Sequence, residues 1–273
     1  MRRVIFNQKG GVGKSSITCN LAAVAASRGK RTLVVDLDIQ GNASLYLGVD
    51  VHSADLPYPE STVAHLLRQT ATTWFASAKP ALEYVRETQF ANLDLLCASP
   101  LLSQISSELE SRYKIYKLRD ALVELQNEYD AIFIDTPPNL NFYSKTALIA
   151  AEAVLIPYDC DSFSRNALNQ LLDNLVDIKQ DHNPTLKVEG IVINQFNQQA
   201  RLPRELIEEL RQDHLPVMNA YLPSSVKMKE SHSASKPLIY FAKSHKLTSQ
   251  FETLFDELCA NEKQPAGSAF LAH

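Results

Sequence analysis

Between Lys9 and Ser16 the chain reads Lys-Gly-Gly-Val-Gly-Lys-Ser-Ser, set after an apolar run and before an alanine-rich one. Closely spaced glycines let the backbone bend so that several N–H groups converge, and a helix starting at the second lysine adds its positive dipole end. A loop of this kind holds a chain of phosphates. Gly10, Gly11, Val12 and Gly13 would form the cradle, Lys14 would reach the β- and γ-phosphates, and the Ser15 hydroxyl would ligate Mg²⁺. The pattern is a variant, because Gln8 stands where G-x-x-x-x-G-K-[ST] asks for glycine.

Two acidic segments supply the other half of that chemistry. Asp36-Leu37-Asp38-Ile39-Gln40-Gly41-Asn42 follows an apolar run. A carboxylate at the C-terminal end of a parallel strand lies beside the phosphate crevice. Asp130–Pro138 (DAIFIDTPP) is an apolar strand ending in Asp135, the arrangement that coordinates Mg²⁺ through water.

The elements that must position these groups alternate along the chain. Arg3–Phe6, Thr32–Asp36, Leu93–Ala98, Ala131–Asp135, Val154–Tyr158 and Val188–Asn194 read as strands. Most are continuous apolar runs, as expected for parallel strands covered on both faces. Helical patterns lie between them: Lys14–Arg28 ending at Gly29, Tyr113–Glu128, Ser164–Gln180, and Pro203–Asp213 with proline at its first position. Residues 49–90, with Pro57, Pro59 and Trp74, are the least regular, with helices expected over Thr62–Gln69 and Pro80–Glu87. Strand–helix alternation predicts an α/β fold, a doubly wound and mostly parallel sheet with helices on both faces. One domain is expected over residues 1–260, with a flexible tail at 261–273.

Composition narrows the class. The 273 residues carry 27 Lys+Arg against 31 Asp+Glu, a formal charge of −4, which excludes a uniformly basic protein. No run of about 18 apolar residues is present, so no transmembrane helix is expected, and no signal peptide is expected at MRRVIFNQKGG. Cys19, Cys97, Cys160 and Cys259 form no CxxC pair, which argues against a zinc or iron–sulfur site and for reduced thiols in a cytoplasmic protein.

The motifs together resemble the ParA/Soj/MinD family of deviant Walker A ATPases, P-loop proteins whose distinguishing feature is an early lysine, here Lys9. NQKGGVGKSS is similar to the family's deviant Walker A, DLDIQGNAS to its first switch, and FIDTPPNL to its Walker B and second switch. VLIPYDCDSFS, IVINQF and LPSSVKMKESHSASKPLIYF extend the likeness over roughly Arg2–Leu258, and DLDxQGN points to the ParA/Soj branch. The resemblance implies ATP and Mg²⁺ as cofactors, slow ATP hydrolysis, and an ATP-dependent sandwich homodimer. It implies that Lys9 reaches the partner's phosphates and Lys14 acts within its own subunit. Ser16 would lie near the α-phosphate, and Asp38 would orient the attacking water. Ser15, Asp38 and Asp135 would form the metal set. Asn194 would bond the adenine, with the Leu222–Pro223 loop closing over the base. Three departures stand out: Ile39 for the usual proline, Ser15-Ser16 for Thr-Thr, and Ser235 where a glycine precedes the lysine.

Within this family three functions compete: a DNA-bound partition or cargo-positioning ATPase, a MinD-like membrane-associated ATPase, and a metabolic ligase. A membrane-binding C-terminal helix should be basic. Lys246–Ala260 instead sets Leu247, Phe251, Leu254, Phe255 and Leu258 against Glu252, Asp256 and Glu257, so its apolar stripe reads as a face for the core. Charge is segregated: Pro216–Gln250 holds five lysines and one acid, and Phe251–His273 holds four acids and one lysine. Lys227, Lys229, Lys243 and Lys246, with Arg201 and Arg204, are the candidate contacts to non-specific DNA, doubled in a dimer. No helix-turn-helix pattern precedes Arg3, so operator recognition is not expected. The sequence therefore points to a nucleoid-associated, ParA-like ATPase that segregates or positions plasmid, chromosome or protein cargo. A ParB-like or adaptor partner is implied by resemblance.

Overall fold

Eight strands form one sheet in the order β3-β4-β2-β5-β1-β6-β7-β8. They are β1 (Arg2–Ile5), β2 (Thr32–Asp36), β3 (Arg86–Glu87), β4 (Leu93–Leu96), β5 (Ala131–Asp135), β6 (Ala153–Asp159), β7 (Lys187–Phe196) and β8 (Leu222–Pro223). All pairings are parallel except β3 with β4. This computed structural model describes residues 1–54, 58–69, 78–159, 165–196 and 201–262, without the side chains of 201 and 202. Pro57, Trp74, Cys160, most of the expected tail and the side chain of Arg201 lie outside the described residues.

The apolar runs work as parallel strands because successive side chains point to opposite faces. Val4, Ile132, Ile134, Val154, Ile156, Ile191 and Ile193 enter one core layer. Their neighbours Ile5, Phe133, Leu155 and Val192 enter the other. The first layer is covered by α3 (Val63–Arg68), α4 (Leu102–Ser111), α5 (Lys117–Glu124), α6 (Phe142–Ala150), α7 (Arg165–Asp181) and α8 (Arg201–Gln212). The second lies under α1 (Lys14–Ser27), α2 (Asn42–Tyr46), α10 (Leu238–Phe241) and α11 (Lys246–Glu262), with α9 (Val226–Ser233) touching its edge through Met228. The doubly wound architecture expected from the alternation is the one observed.

Helix α1 is buried on nearly every side, including Ala22, Ala23, Ala25 and Ala26, which explains its alanine content: small side chains let the sheet and α11 approach closely. The stripe of α11 is a core face, with Leu247, Phe251, Leu254, Phe255 and Leu258 all buried, and the helix continues to Glu262.

Several local expectations are corrected. Pro80–Glu87 is a 3-10 turn over Ala81–Tyr84 followed by β3, an antiparallel edge strand too short to show a period. Tyr113–Glu128 is not one helix, because Tyr113 takes a left-handed φ of 53° and the chain restarts as a 3-10 turn before α5. Helix α8 begins at Arg201, so Pro203 lies inside its first turn, where N–H groups need no helical partner. Leu222–Pro223 is an edge strand and not a loop, and an edge tolerates proline's missing donor.

Candidate phosphate-binding site

The site gathers at the carboxyl ends of β1, β2, β5 and β7. From β1 the sheet grows towards β5 and β2 on one side and towards β6 and β7 on the other, so the loop after β1 emerges at the divide where open α/β sheets form ligand crevices. Asn7 fixes the start of that loop: its Nδ2 donates to the Pro157 carbonyl at 2.7 Å and its Oδ1 accepts from the Lys9 N–H at 2.9 Å. Gly13 caps α1 with φ of 89°, a conformation L side chains rarely adopt, and a Cβ there would lie 2.3 Å from Asn194 Nδ2. Only glycine fits. At Gly10 and Gly11 a Cβ would meet no atom within 4 Å, so the space in front of the cradle is open.

Lys14 is buried, and its Nζ donates to the Lys9 carbonyl at 2.9 Å. Burial lowers its pKa, against the pull of Asp135 and Asp38. The Ser15 hydroxyl donates to Asp135 Oδ2 at 2.6 Å. Asp38 is also buried, and its Oδ1 accepts the Gln40 N–H at 3.0 Å. Burial pushes the Asp135 and Asp38 carboxyls up, and Asp36 raises Asp135 further.

Asp36 has a part that the motif Asp36–Asn42 does not reveal. It is the last residue of β2, directly opposite Asp135, the last of β5. Its carboxylate accepts from the Ser44 N–H (2.8 Å), the Ser44 hydroxyl (2.7 Å) and the Asp38 N–H (3.0 Å), so it pins both Asp38 and α2. Burial pushes its pKa up to about 6, against these hydrogen bonds. Asp135 and Asp38 thus face Lys14, and Asp36 lies beside both carboxylates. Such an excess of buried negative charge calls for a cation.

A hydrated Mg²⁺ fits the donors present. That ion keeps several waters and takes one or two protein oxygens beside phosphate, and Ser15 and Asp135 offer a hydroxyl with a carboxylate behind it. Among the described residues no group of three or more His, Cys, Asp and Glu could hold a metal by itself. The residues would thus hold the metal together with a phosphate chain.

Asn194 lies against the loop: its Nδ2 donates to the Val12 carbonyl at 2.9 Å, and the next residue, Gln195, donates to the Gly11 carbonyl at 3.0 Å. Pro223 stands opposite Phe196 in the adjoining edge strand. On the other flank, the Asn139 N–H donates to the Gln8 carbonyl at 2.8 Å and ties the segment after β5 to the phosphate loop.

The candidate DNA contacts sit elsewhere. Lys227 and Lys229 are on α9, Lys243 precedes α11 and Lys246 begins it, all exposed. Lys227 is paired with Glu230 at 2.6 Å. Arg204 shares an open face of α8 with Glu205, Glu208, Glu209 and Gln212, an acidic setting that does not extend a basic surface. Ser235, where the family's glycine was expected, takes φ of 47°, the left-handed conformation that glycine would favour.

A family model described as an AAA domain matches residues 3–188. The chain is 36% identical over 241 residues to the chromosome partitioning protein ParA of Myxococcus xanthus, covering 87% of this chain and 80% of that protein. It is 32% identical over 259 residues to the sporulation initiation inhibitor protein Soj of Bacillus subtilis, covering 94% and 97%. The fold also matches a structure of cobyrinic acid a,c-diamide synthase from Mycobacterium smegmatis with bound ATP analog and magnesium, at 25% identity, 98% and 96% coverage and a TM-score of 0.80. The family model over residues 3–188 and the identity to ParA and Soj over most of each chain place this chain, with its glycine cradle and acidic strand ends, in the ParA/Soj family of P-loop ATPases.

Proposed function

We propose that this chain is an ATP- and Mg²⁺-dependent switch of the partition type. It hydrolyses ATP slowly, pairs with a second copy when ATP is bound, and binds DNA non-specifically to segregate or position plasmid, chromosome or protein cargo. The observation that carries the reading is the set Lys14, Ser15, Asp135 and Asp38 around an open glycine cradle. Gly10 to Ser16 bind the phosphates, Ser15 and Asp135 hold the metal shell, and Asp38 orients the attacking water. Asn194 is the candidate adenine contact, and Lys9 is the candidate bridge to the second subunit.

Hydrolysis of this kind needs positioning and charge stabilisation, not a covalent intermediate. Loops that contact the γ-phosphate and its metal are held only while it is present, so the two switch segments give the dimer its dependence on ATP. The exposed lysines of 227–246 supply an electrostatic surface for DNA, and an adaptor or ParB-like protein would stimulate hydrolysis. A nucleoid-associated location in the cytoplasm follows from DNA binding. Among the described residues no helix is long and apolar enough to cross a membrane, and the buried stripe of α11 speaks against a membrane-binding role for that helix.

The ligase alternative draws on the Mycobacterium smegmatis neighbour; the higher identity to the partition proteins outweighs it. One assay separates the readings: retention on non-specific DNA and molecular mass by light scattering, with ATP, with ADP and without nucleotide. DNA retention and dimer mass with ATP alone support the partition switch. Monomers under all three conditions, or DNA binding indifferent to nucleotide, reject it.

A further inference from the structure

His232 lies 216 residues from the phosphate loop in sequence, yet its Nε2 is 2.9 Å from the Ser16 hydroxyl. Ser16 is the third residue of α1, whose first N–H groups have no helical partner and face any anion in the cradle. The imidazole also stacks on Tyr46, the last residue of α2, with ring centroids 3.9 Å apart and planes 14° from parallel. Tyr46 is buried, and its hydroxyl is 2.7 Å from the Ser231 hydroxyl and accepts from Asn20 of α1 at 3.1 Å. Asn20 in turn accepts the Leu238 N–H of α10 at 2.8 Å. One ring therefore joins the first turn of α1, the helix pinned by Asp36, and α9, which carries Lys227 and Lys229.

We propose that His232 is a positioning residue of the phosphate site, coupling its occupation to α9 through the hydrogen bond with Ser16. The inference rests on the nucleotide-binding reading above. Its logic is proton counting. A serine hydroxyl has one proton, and phosphate oxygens at neutral pH accept only. With the cradle empty, Ser16 can donate to Nε2. Once its proton is committed to a phosphate, the bond to His232 survives only with the imidazole proton on Nε2. The stack on Tyr46 holds the ring plane, so the ring cannot swing away without breaking that stack. With the cradle empty either tautomer keeps this bond, whereas occupation leaves one, and the loss of that exchange stiffens α9 against α1. Burial lowers the pKa of the imidazole, which favours the neutral form that has two tautomers.

The test uses the full chain labelled with ¹⁵N in its imidazoles, with the His232 signals assigned by their loss in His232→Gln. Spectra are recorded empty, with ADP and Mg²⁺, and with a non-hydrolysable ATP analogue and Mg²⁺, while bound nucleotide is measured in the same samples. Saturation should move the His232 nitrogens to the Nε2–H pattern. Amide exchange over 226–237 should slow about fivefold or more. His232→Phe keeps the stack and loses the hydrogen bond, so it should lose the slowing; His232→Gln restores a group at the Nε2 position and should recover it. Unchanged His232 nitrogens at saturation, or slowing in His232→Phe equal to that of the parent protein, overturns the inference while the nucleotide reading stands. Failure of the parent protein to bind nucleotide overturns both.

Discussion

The two ends of the central strands carry the same ingredients, carboxylates around one buried cation, and use them in opposite ways. At the amino end Arg3, 1% exposed, donates from Nε and one terminal nitrogen to Glu189 at 2.7 and 2.9 Å and to Glu262 at 2.8 Å. The planar guanidinium matches the carboxylate fork, so the cluster is satisfied within the chain and clasps β1, β7 and the end of α11 together. At the carboxyl end Lys14, a point charge, faces Asp38 and Asp135, with Asp36 beside them, and burial raises all three carboxyls. A closed ion cluster holds a fold. An open one holds a ligand.

Breaking either end should therefore cost a different property. The largest effect is expected from Lys14→Ala, which should weaken ATP binding about 100-fold or more by calorimetry, because the role proposed for the lysine is direct contact with the phosphates. Near-parental affinity would remove Lys14 from the site. At the other end, Arg3→Met leaves two carboxylates without their cation. It should cost about 3–5 kcal/mol and lower the melting temperature on the order of 10 °C, with ATP affinity within about twofold. A loss of affinity as large as that of Lys14→Ala would erase the contrast between the ends.

The pH dependence of stability sharpens the comparison. A carboxyl whose pKa is raised on folding adds stability below its unfolded value, near 4, and that stability is lost as pH rises through the folded value. For Asp36, pushed up to about 6, the loss falls between pH 4 and 6 in protein free of metal and nucleotide. Melting curves of the parent protein should accordingly fall relative to those of Asp36→Asn across that window. Mg²⁺ and nucleotide should flatten the difference, because a bound cation favours the charged carboxylates. Parallel curves would show that Asp36 does not titrate there. The smallest effect belongs to Glu262→Gln: its carboxylate is 32% exposed and Glu189 still grips Arg3, so about 1 kcal/mol should be lost in chemical denaturation.

The contrast also explains what could be read from the sequence. The cradle, Asp38 and Asp135 are local signals, because spacing within a turn or at a strand end dictates their geometry. Asp36 lies in the motif Asp36–Asn42, but nothing there divides labour between it and Asp38; the hydrogen bonds to Ser44 do so. Arg3 with Glu189 and His232 with Ser16 gave no signal, because each pair is far apart in the chain and lone residues have no period. Residues 81–87 misled because a 3-10 turn and a two-residue strand are too short to carry one.

The sequence by itself determined the parallel sheet, the glycine-rich loop before α1 and two of the carboxylates proposed to serve it, since apolar period and glycine spacing act over a few residues. Only the tertiary structure decided which charges are closed and which are open. Whether a buried carboxylate meets a guanidinium fork or faces an unfilled cradle depends on strand order and helix packing, and those bring together groups that no local pattern relates.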